Sequence, residues 1–424
     1  MSINAPHTDL FKRSTKEIQF WCRTGEEPKA ANQDMKYYLD LQEKRLQKHN
    51  LNIEMTFEPE GDVYSSQQVL SAVPVLNSIE CFSRFNQSTY FQSGNQTISY
   101  YRDSQKIYSK KKFVSLYQAI INPEPGDRHV GGTTYVCPNC GAISTLNTLQ
   151  EEGCPYCGTR YIMKDLYPKV ANYYCLDTTG ISKEQTRYHK AIIWGGGAAI
   201  SLFGTLYSLF TTDDFTIAIG IVSLLLGTLL GAFLMYLGVS LFCLGKVFLQ
   251  AGKSVGMLTD SAGSKQKITK NLSQYDPSFS YEYFEGKALS LARMMMFHDN
   301  LANCVQYKGQ GSSSNFADLI DIQYRGRFAV ESIQRNQDRI EVVLKLYLTN
   351  TIDDGKKISQ KDEAIRIWMY HHVQFPVDPT YSIRKVQCPC CGGSFDAREQ
   401  KTCPFCNQEY DAGINDWVVT KIQR

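Results

Sequence analysis

The sequence lacks a strong excess of charge of either sign. Its 424 residues include 45 Lys and Arg against 42 Asp and Glu, which gives a formal net charge of +3. A chain-wide basic field of the kind that attracts nucleic acid is therefore excluded, and any such contact would be local. At this length the chain is expected to form two or three domains with substantial cores.

Sequence motifs of the common enzyme classes are also absent. The chain contains no H-E-x-x-H, no G-x-S-x-G and no kinase-like set of motifs. His371 and His372 are adjacent in a predicted strand, so they point to opposite faces and cannot act together. The Asp353-Asp354-Gly355 stretch is typical of a turn rather than of a catalytic acid pair. We predict that the protein is not an enzyme.

The N-terminal stretch and the cysteines lack the marks of a secreted protein. MSINAPHTDLFKRSTKEIQ has no apolar region typical of a signal peptide, and its acidic residues fit poorly with a mitochondrial presequence, so we expect no cleaved signal. Eight of the 14 cysteines fall into four C-x-x-C pairs, which is the spacing of metal sites and not of a disulfide scaffold. This usage indicates a compartment in which thiols stay reduced.

Charge is missing from two long central runs. Ala191–Thr212 contains no charged residue, and Phe215–Gly245 is longer still. Each run is long enough to cross a bilayer as a helix, and buried helices of soluble proteins rarely stay uncharged over such lengths. We predict a transmembrane helical hairpin over residues 191–250, with Asp213 and Asp214 at its tip. The longer second run is expected either to tilt or to end in an interfacial turn.

The flanking charges predict the orientation of this hairpin. Lys and Arg precede the first run and follow the second, whereas the connecting loop is acidic, so the positive-inside rule places both termini in the cytoplasm. The prediction is a multi-pass protein of the cytoplasmic membrane with the lipid bilayer as a partner. Neither run contains an ionisable group of a transport path, so the hairpin is predicted to be an anchor. Gly227, Gly231 and the small residues 195–199 favour close helix packing.

A C-x2-C-x13-C-x2-C pattern is the strongest motif in the chain. It lies in VCPNCGAISTLNTLQEEGCPYCGTR. In each C-P-x-C-G unit, Pro stiffens a tight turn and Gly is expected to take a positive φ. Four thiolates complete the tetrahedral shell of Zn2+ and leave no position for water, so we predict a structural zinc site. The predicted ligands are Cys137, Cys140, Cys154 and Cys157.

A second set returns near the C-terminus as CPCCGGSFDAREQKTCPFCN. Its predicted zinc ligands are Cys388, Cys391, Cys403 and Cys406. Cys390 falls on the variable position and is interpreted as a non-ligand, and Asn407 replaces the last Gly because Asn tolerates the left-handed conformation. A rubredoxin-like iron site and a thioredoxin-like dithiol compete with zinc, although the dithiol would need a βαβ pattern that is absent. Acidic residues in the first ribbon argue against nucleic acid as a partner.

The segments between these motifs predict an α+β protein. A helix is expected within residues 29–50 and another after Ser280, and two apolar-alternating strands, Arg339–Leu348 and Ala364–Val373, are expected to pair. The predicted division is an N-terminal α+β domain (1–130), zinc ribbon 1 (131–178), the hairpin (191–250), a linker (251–275), a C-terminal domain (276–386), and zinc ribbon 2 with a terminal strand (387–424).

The C-terminal domain resembles a known family. The stretch DPSFSYEYF, Asp276 to Phe284, with the helix and sheet that follow it, resembles the Tim-forty-four-like domain of the mitochondrial import-motor anchor and of many bacterial membrane proteins. The likeness covers about Asn271–Val386. It implies a cone-shaped helix-plus-antiparallel-sheet fold of the nuclear-transport-factor-two type, a helix-lined apolar pocket and attachment at a membrane. Bacterial members often end in a zinc ribbon and a Trp-containing strand, as here at Asp416–Val419.

Both ribbons follow an α+β segment, so the N-terminal domain is interpreted as a degenerate copy of the C-terminal one. The leading functional hypothesis is a membrane-anchored binding or scaffold module for a protein, peptide or lipid. Two other hypotheses stay open: an enzyme with its active site in the pocket of a cone fold, and a nucleic-acid-binding zinc-ribbon protein.

Overall fold

The computed structural model describes most of the chain. The described residues are 2–3, 7–71, 84–123, 134–137, 139–140, 142–161, 167–178, 183–211, 217–276, 279–374, 386–397, 400–414 and 416–424. The predicted hairpin tip at Asp213 and Asp214 lies outside them. The chain divides into two compact units, one of residues 1–177 with 260–424 and one of residues 178–259. The fold is mixed helix and antiparallel sheet, which confirms the predicted class at that level.

The N-terminal half of the first unit is built of helices followed by a sheet. Its elements are β1 (Ser2–Ile3), α1 (Thr8–Thr24), α2 (Gln33–Lys48), β2 (Asn52–Pro59), β3 (Tyr64–Ser71), β4 (Arg84–Arg102), β5 (Gln105–Pro123), β6 (Thr134–Val136), β7 (Ile143–Thr145), α3 (Leu146–Glu151) and β8 (Lys169–Asp177). The main sheet has the order β1-β3-β4-β5-β8, with β2 paired to the other end of β4. The helix expected within residues 29–50 is α2, whereas α1 is not among the predicted helices.

The second unit consists of two apolar helices, α4 (Lys183–Thr211) and α5 (Ile217–Ser261, whose last residues belong to the first unit). Both are long and apolar enough to cross a membrane, and only 11% of the most apolar window of each is buried. Exposed side chains such as Phe210 (84%) and Leu241 (68%) show that these helices are not buried in the core of a soluble domain. Helix α5 continues through residue 246 without a break, so the predicted alternative that the second apolar run ends in an interfacial turn is wrong.

Small residues bring α4 and α5 together, as the sequence predicts. A Cβ atom on Gly231 would lie 2.9 Å from the carbonyl oxygen of Gly197, and one on Gly197 would lie 2.5 Å from the nitrogen of Ala232. Ser201 Oγ also donates to the carbonyl oxygen of Leu224 at 2.7 Å. The helix backbones therefore touch, which is the contact expected of paired helices in lipid.

We expect Gly231→Leu to separate these helices, because the added side chain would overlap the backbone of α4. Gly204→Leu is the matched control, since nothing lies within 4 Å of a Cβ at that position. The readout is oxidative cross-linking of the full chain carrying Thr205→Cys and Ser223→Cys, whose hydroxyl oxygens lie 3.4 Å apart across the two helices. The yield should fall several-fold with Gly231→Leu and stay unchanged with Gly204→Leu. Equal yields would refute the packing.

The C-terminal half of the first unit repeats the order of helices followed by a sheet. Its elements are α6 (Ser264–Leu272), α7 (Tyr281–Phe297), β9 (Leu319–Asn336), β10 (Arg339–Asp353), β11 (Ile358–His372), β12 (Val386–Gln387), β13 (Ser394–Phe395) and β14 (Val418–Gln423). The sheet order is β14-β11-β10-β9. The two predicted strands are β10 and β11, which pair in an antiparallel register, and residues 251–275, expected to be a linker, are helical over most of their length.

Corresponding elements of the two halves share further details. Along the chain, each ribbon is inserted between the last two strands of the main sheet of its half. These strands are β5 and β8 in the first half and β11 and β14 in the second. The N-caps of α2 and α7, Asn32 and Ser280, each accept a hydrogen bond from the N–H three residues later. A buried arginine follows thirteen residues after each cap, Arg45 in α2 and Arg293 in α7. The two halves therefore share these local features, and the duplicated domain stays a prediction.

The two halves share one hydrophobic core rather than one core each. Arg45 donates to the carbonyl oxygens of Phe297 and Leu319 in the other half at 3.1 and 3.3 Å. Arg293 likewise donates to Asn172 Oδ1 at 2.9 Å in the first half. Buried guanidinium groups that bind carbonyl oxygens replace the water these groups lose on burial. The segments that the sequence divides into separate domains therefore fold as one unit.

Candidate metal centres

The structure brings each predicted set of four thiols together. In each set the four sulfur atoms lie within 4.8 Å of one another. In the first set, Cys137 and Cys157 are 3.7 Å apart and Cys140 and Cys154 are 3.5 Å apart, measured between sulfur atoms. In the second set the corresponding distances are 3.6 Å for Cys388–Cys406 and 3.5 Å for Cys391–Cys403.

These distances fit a tetrahedral metal–thiolate site. They are far longer than a disulfide bond of about 2.05 Å. A Zn–S bond of about 2.3 Å places the corners of a tetrahedron about 3.8 Å apart. Each set can therefore hold one metal ion with four sulfur ligands, and such a closed shell has no position for a reacting water.

All four C-x-x-C units share one backbone hydrogen bond. In each unit the first cysteine's N–H donates to the carbonyl oxygen five residues later, at 2.8–2.9 Å. The left-handed residue that closes the turn is Gly158, Gly392 or Asn407, with φ values of 71°, 71° and 59°. The positive φ predicted for these positions, including the replacement of Gly by Asn, is confirmed. Gly141, the fourth such position, lies outside the described residues.

Hydrogen bonds favour the thiolate form at one cysteine of each set. The Thr159 hydroxyl and N–H lower the pKa of Cys157 to about 6. In the second set, the N–H groups of Cys391 and Cys390 lower the pKa of Cys388 to about 7. Metal binding requires deprotonated thiols, so these donors favour the ligand form at one position of each set, whereas burial raises the pKa of Cys140 to about 12.

The exposed Cys390 lies outside the second set, in agreement with its interpretation as a non-ligand. The two ribbons differ in how they join the rest of the protein. Ribbon 1 has a small core of its own, which includes Ala142, Leu149 and Tyr167. Ribbon 2 belongs to the shared core of the first unit through residues such as Phe395 and Tyr410.

A buried ion triad lies where ribbon 2 leads into β14. Lys287 Nζ donates to a carboxylate oxygen of Asp34 and, at 2.8 Å, to Asp416 Oδ2, and none of the three side chains is more than 6% exposed. Gln306 Nε2 and the Trp417 N–H also donate to Asp416. Burial alone would lower the pKa of Lys287, but the two carboxylates outweigh it and hold that pKa well above its usual value. The triad joins both halves and the end of the ribbon.

The adjacent histidines have separate partners, as predicted. His371 Nδ1 lies 3.0 Å from the carbonyl oxygen of Asp416, whereas the ring nitrogens of His372 lie 2.9 and 3.1 Å from Asp338 and Asp411. They do not converge on one point. The predicted turn at Gly355 is also present, with a positive φ of 83°.

A small cavity inside the shared core collects polar groups from both halves. Its volume is about 30 Å³, and its lining includes Arg293 and Asp321. Burial raises the pKa of Asp321, and Gln42 Nε2 donates to its Oδ1 at 3.0 Å. Such a volume holds about two water molecules, whereas small-molecule sites usually enclose about 300–1,000 Å³. This cavity therefore has no room for a substrate.

Comparison of the chain with protein-family models, with curated protein sequences and with solved structures finds no match. The site is therefore interpreted from its own geometry.

Proposed function

We propose that the protein is a membrane-anchored binding or scaffold protein at the cytoplasmic face of a bacterial cell membrane. Two structural zinc ions stiffen it, and its second half is a Tim-forty-four-like module that binds a protein, peptide or lipid. The observation that carries the proposal is one compact unit built from residues on both sides of two exposed apolar helices.

This arrangement supports a membrane anchor in which the chain crosses the bilayer and then returns to the side from which it entered. Residues 1–177 and 260–424 share one core, and a bilayer cannot pass through a packed core. If α4 and α5 both span the membrane, the chain crosses it twice and the two parts of the unit meet on one side. The flanking positive charges favour the cytoplasmic side. There, reduced thiols are available to bind metal.

A binding role agrees better with the described chemistry than an enzymatic one. The closed sulfur sets leave no position for a reacting water, and the cavity lined by Arg293 and Asp321 is too small for a substrate. A second, open cavity of about 490 Å³ beside α1, lined by residues such as Arg13 and Glu27, has room for a ligand. Zinc is the proposed metal because four thiolates in this geometry suit it and because its role in such ribbons is to replace a core that is too small to form alone.

Protease accessibility of the full chain in membrane vesicles tests the proposed topology. We expect epitope tags at the two termini to be cleaved together in inverted vesicles and to be protected together in right-side-out vesicles. Tags on opposite sides, or a chain that stays in the soluble fraction after membranes are removed, would contradict the proposal. Copurification from detergent-solubilised membranes then identifies the partner, and repeated isolation of the chain alone would contradict the scaffold role.

A further inference from the structure

Two turns, one from each half, are hydrogen-bonded to each other and form one exposed surface that the proposed function does not yet use. We define the hairpin lobe as residues 101–113, around the β4–β5 turn, and residues 353–363, around the β10–β11 turn. Arg102 joins them: it donates to the carbonyl oxygen of Gly355 at 2.8 Å and to Asp353 Oδ2 at 2.7 Å. Lys110 Nζ donates to Gln360 Oε1 at 2.6 Å.

The hairpin lobe is rich in positive charge. It contains eight Lys and Arg against five Asp and Glu, so its formal excess of three equals the net charge of the whole chain. Two of its acids bind cations of the lobe and of the rest of the chain: Asp353 is buried against His49 and Arg102, and Glu363 lies 2.7 Å from Lys361 and accepts from Arg424 at 2.8 Å. Burial and the charge of Lys112 both lower the pKa of Lys110, which agrees with crowding of cations. The exposed lysines are Lys106, Lys110, Lys111, Lys356, Lys357 and Lys361.

The type of residue favours a diffuse anionic surface. Seven of the eight cations are lysines, which act as flexible point charges and lack the fixed two-donor geometry with which Arg recognises one phosphate. Ile107, which follows Lys106 in β5, is 39% exposed. An exposed apolar side chain next to a lysine suits the interface of a bilayer with anionic headgroups.

The position of the lobe along the chain gives it access to a bilayer. Lys112 Nζ binds the carboxylate of Asp177 at 2.9 Å, and Asp177 is the last residue of the first unit before the apolar helices. Helix α4 begins at Lys183, only six residues later. If α4 spans the membrane, the lysines of the lobe are attached within a short stretch of chain from the headgroups, so their local concentration there is high.

We propose that the hairpin lobe binds the anionic headgroups of the bilayer in which the chain is anchored. The inference rests on the proposed function, because it requires α4 and α5 to be inserted. In this proposal the helices anchor the protein in the bilayer, and the lobe holds the first unit against the membrane surface.

The test is amine acylation of the full chain in lipid nanodiscs, followed by mass spectrometry. One set of discs contains phosphatidylcholine alone, and the other contains phosphatidylcholine mixed with phosphatidylglycerol. We expect Lys106, Lys356 and Lys357 to react at least about three-fold more slowly in the anionic discs, and high salt to remove the difference. Lys12 and Lys16, which are exposed on α1, are the controls and should react equally in both discs.

Three outcomes would overturn the inference. The first is equal reaction of the lobe lysines in both kinds of disc, and the second is a slowing of the control lysines as large as that of the lobe lysines. The third is protection of the lobe lysines by free inorganic phosphate in phosphatidylcholine discs to the same extent as by phosphatidylglycerol. The last result would indicate a site for soluble anions. Failure of the proposed function looks different, because the chain would then not elute with the discs.

Discussion

Replacing Cys403 with Ser will lower the metal content from two ions per chain to one and will expose ribbon 2 to proteases. The change removes one of the four sulfur ligands of the second set, in which the Sγ atoms of Cys391 and Cys403 lie 3.5 Å apart. Binding of a structural zinc ion contributes on the order of 10–16 kcal/mol to folding of such a small module, so the module cannot stay ordered without it. Metal analysis of the purified chain and limited proteolysis measure the two effects.

Two matched variants separate ligand loss from general damage. Cys390→Ser should keep two ions, because this exposed thiol lies in the same turn but outside the set of four. Cys154→Ser should also leave one ion, but the new cleavage should stay within ribbon 1, which has a core of its own. Cleavage in Cys403→Ser should spread to β14, because ribbon 2 shares the main core. Two ions in Cys403→Ser, or one in Cys390→Ser, would refute the assignment.

Local signals in the sequence predicted much of this structure. The spacing and turn residues of the C-x-x-C units determine the knuckle geometry within a few residues, so even the left-handed Asn407 could be expected. The uncharged runs and their small residues likewise predicted α4, α5 and the contact at Gly231, because these depend on composition and helical spacing alone.

Contacts between distant parts of the chain were not predictable in the same way. The sequence gives no sign that Asp34 and Lys287, which are 253 positions apart, meet in the core. The matching positions of Arg45 and Arg293 after their helix caps could have suggested a duplicated helix, but not that each arginine would bind the other half. Periodicity reports which face of an element is buried, and it does not report what buries it.

The ion triad is where we expect the largest effect of a single substitution on stability. Lys287→Met removes the only cation that contacts Asp34 and Asp416 among the described residues, and leaves two carboxylates in a site closed to water. Loss of one partner from a buried ion pair costs about 3–5 kcal/mol, because the remaining charge is neither paired nor hydrated. Denaturant unfolding of the full chain in detergent, followed by tryptophan fluorescence, measures this loss.

Charge and pH distinguish this explanation from a simple packing defect. Burial raises the pKa of Asp416 even with Lys287 present, and removal of the lysine should raise it further. A carboxyl group whose folded pKa lies above its unfolded value of about 3.9 destabilises the protein above that pH, and the penalty disappears as the pH falls towards 4. The stability difference between Lys287→Met and the parent chain should therefore shrink in acid. Adding Asp34→Leu and Asp416→Asn should restore most of it at neutral pH, because both replacements are uncharged. The introduced amide oxygen can still accept hydrogen bonds from Gln306 and the Trp417 N–H. A loss that is independent of pH and is not restored would mean that Lys287 acts through its packing rather than through its charge.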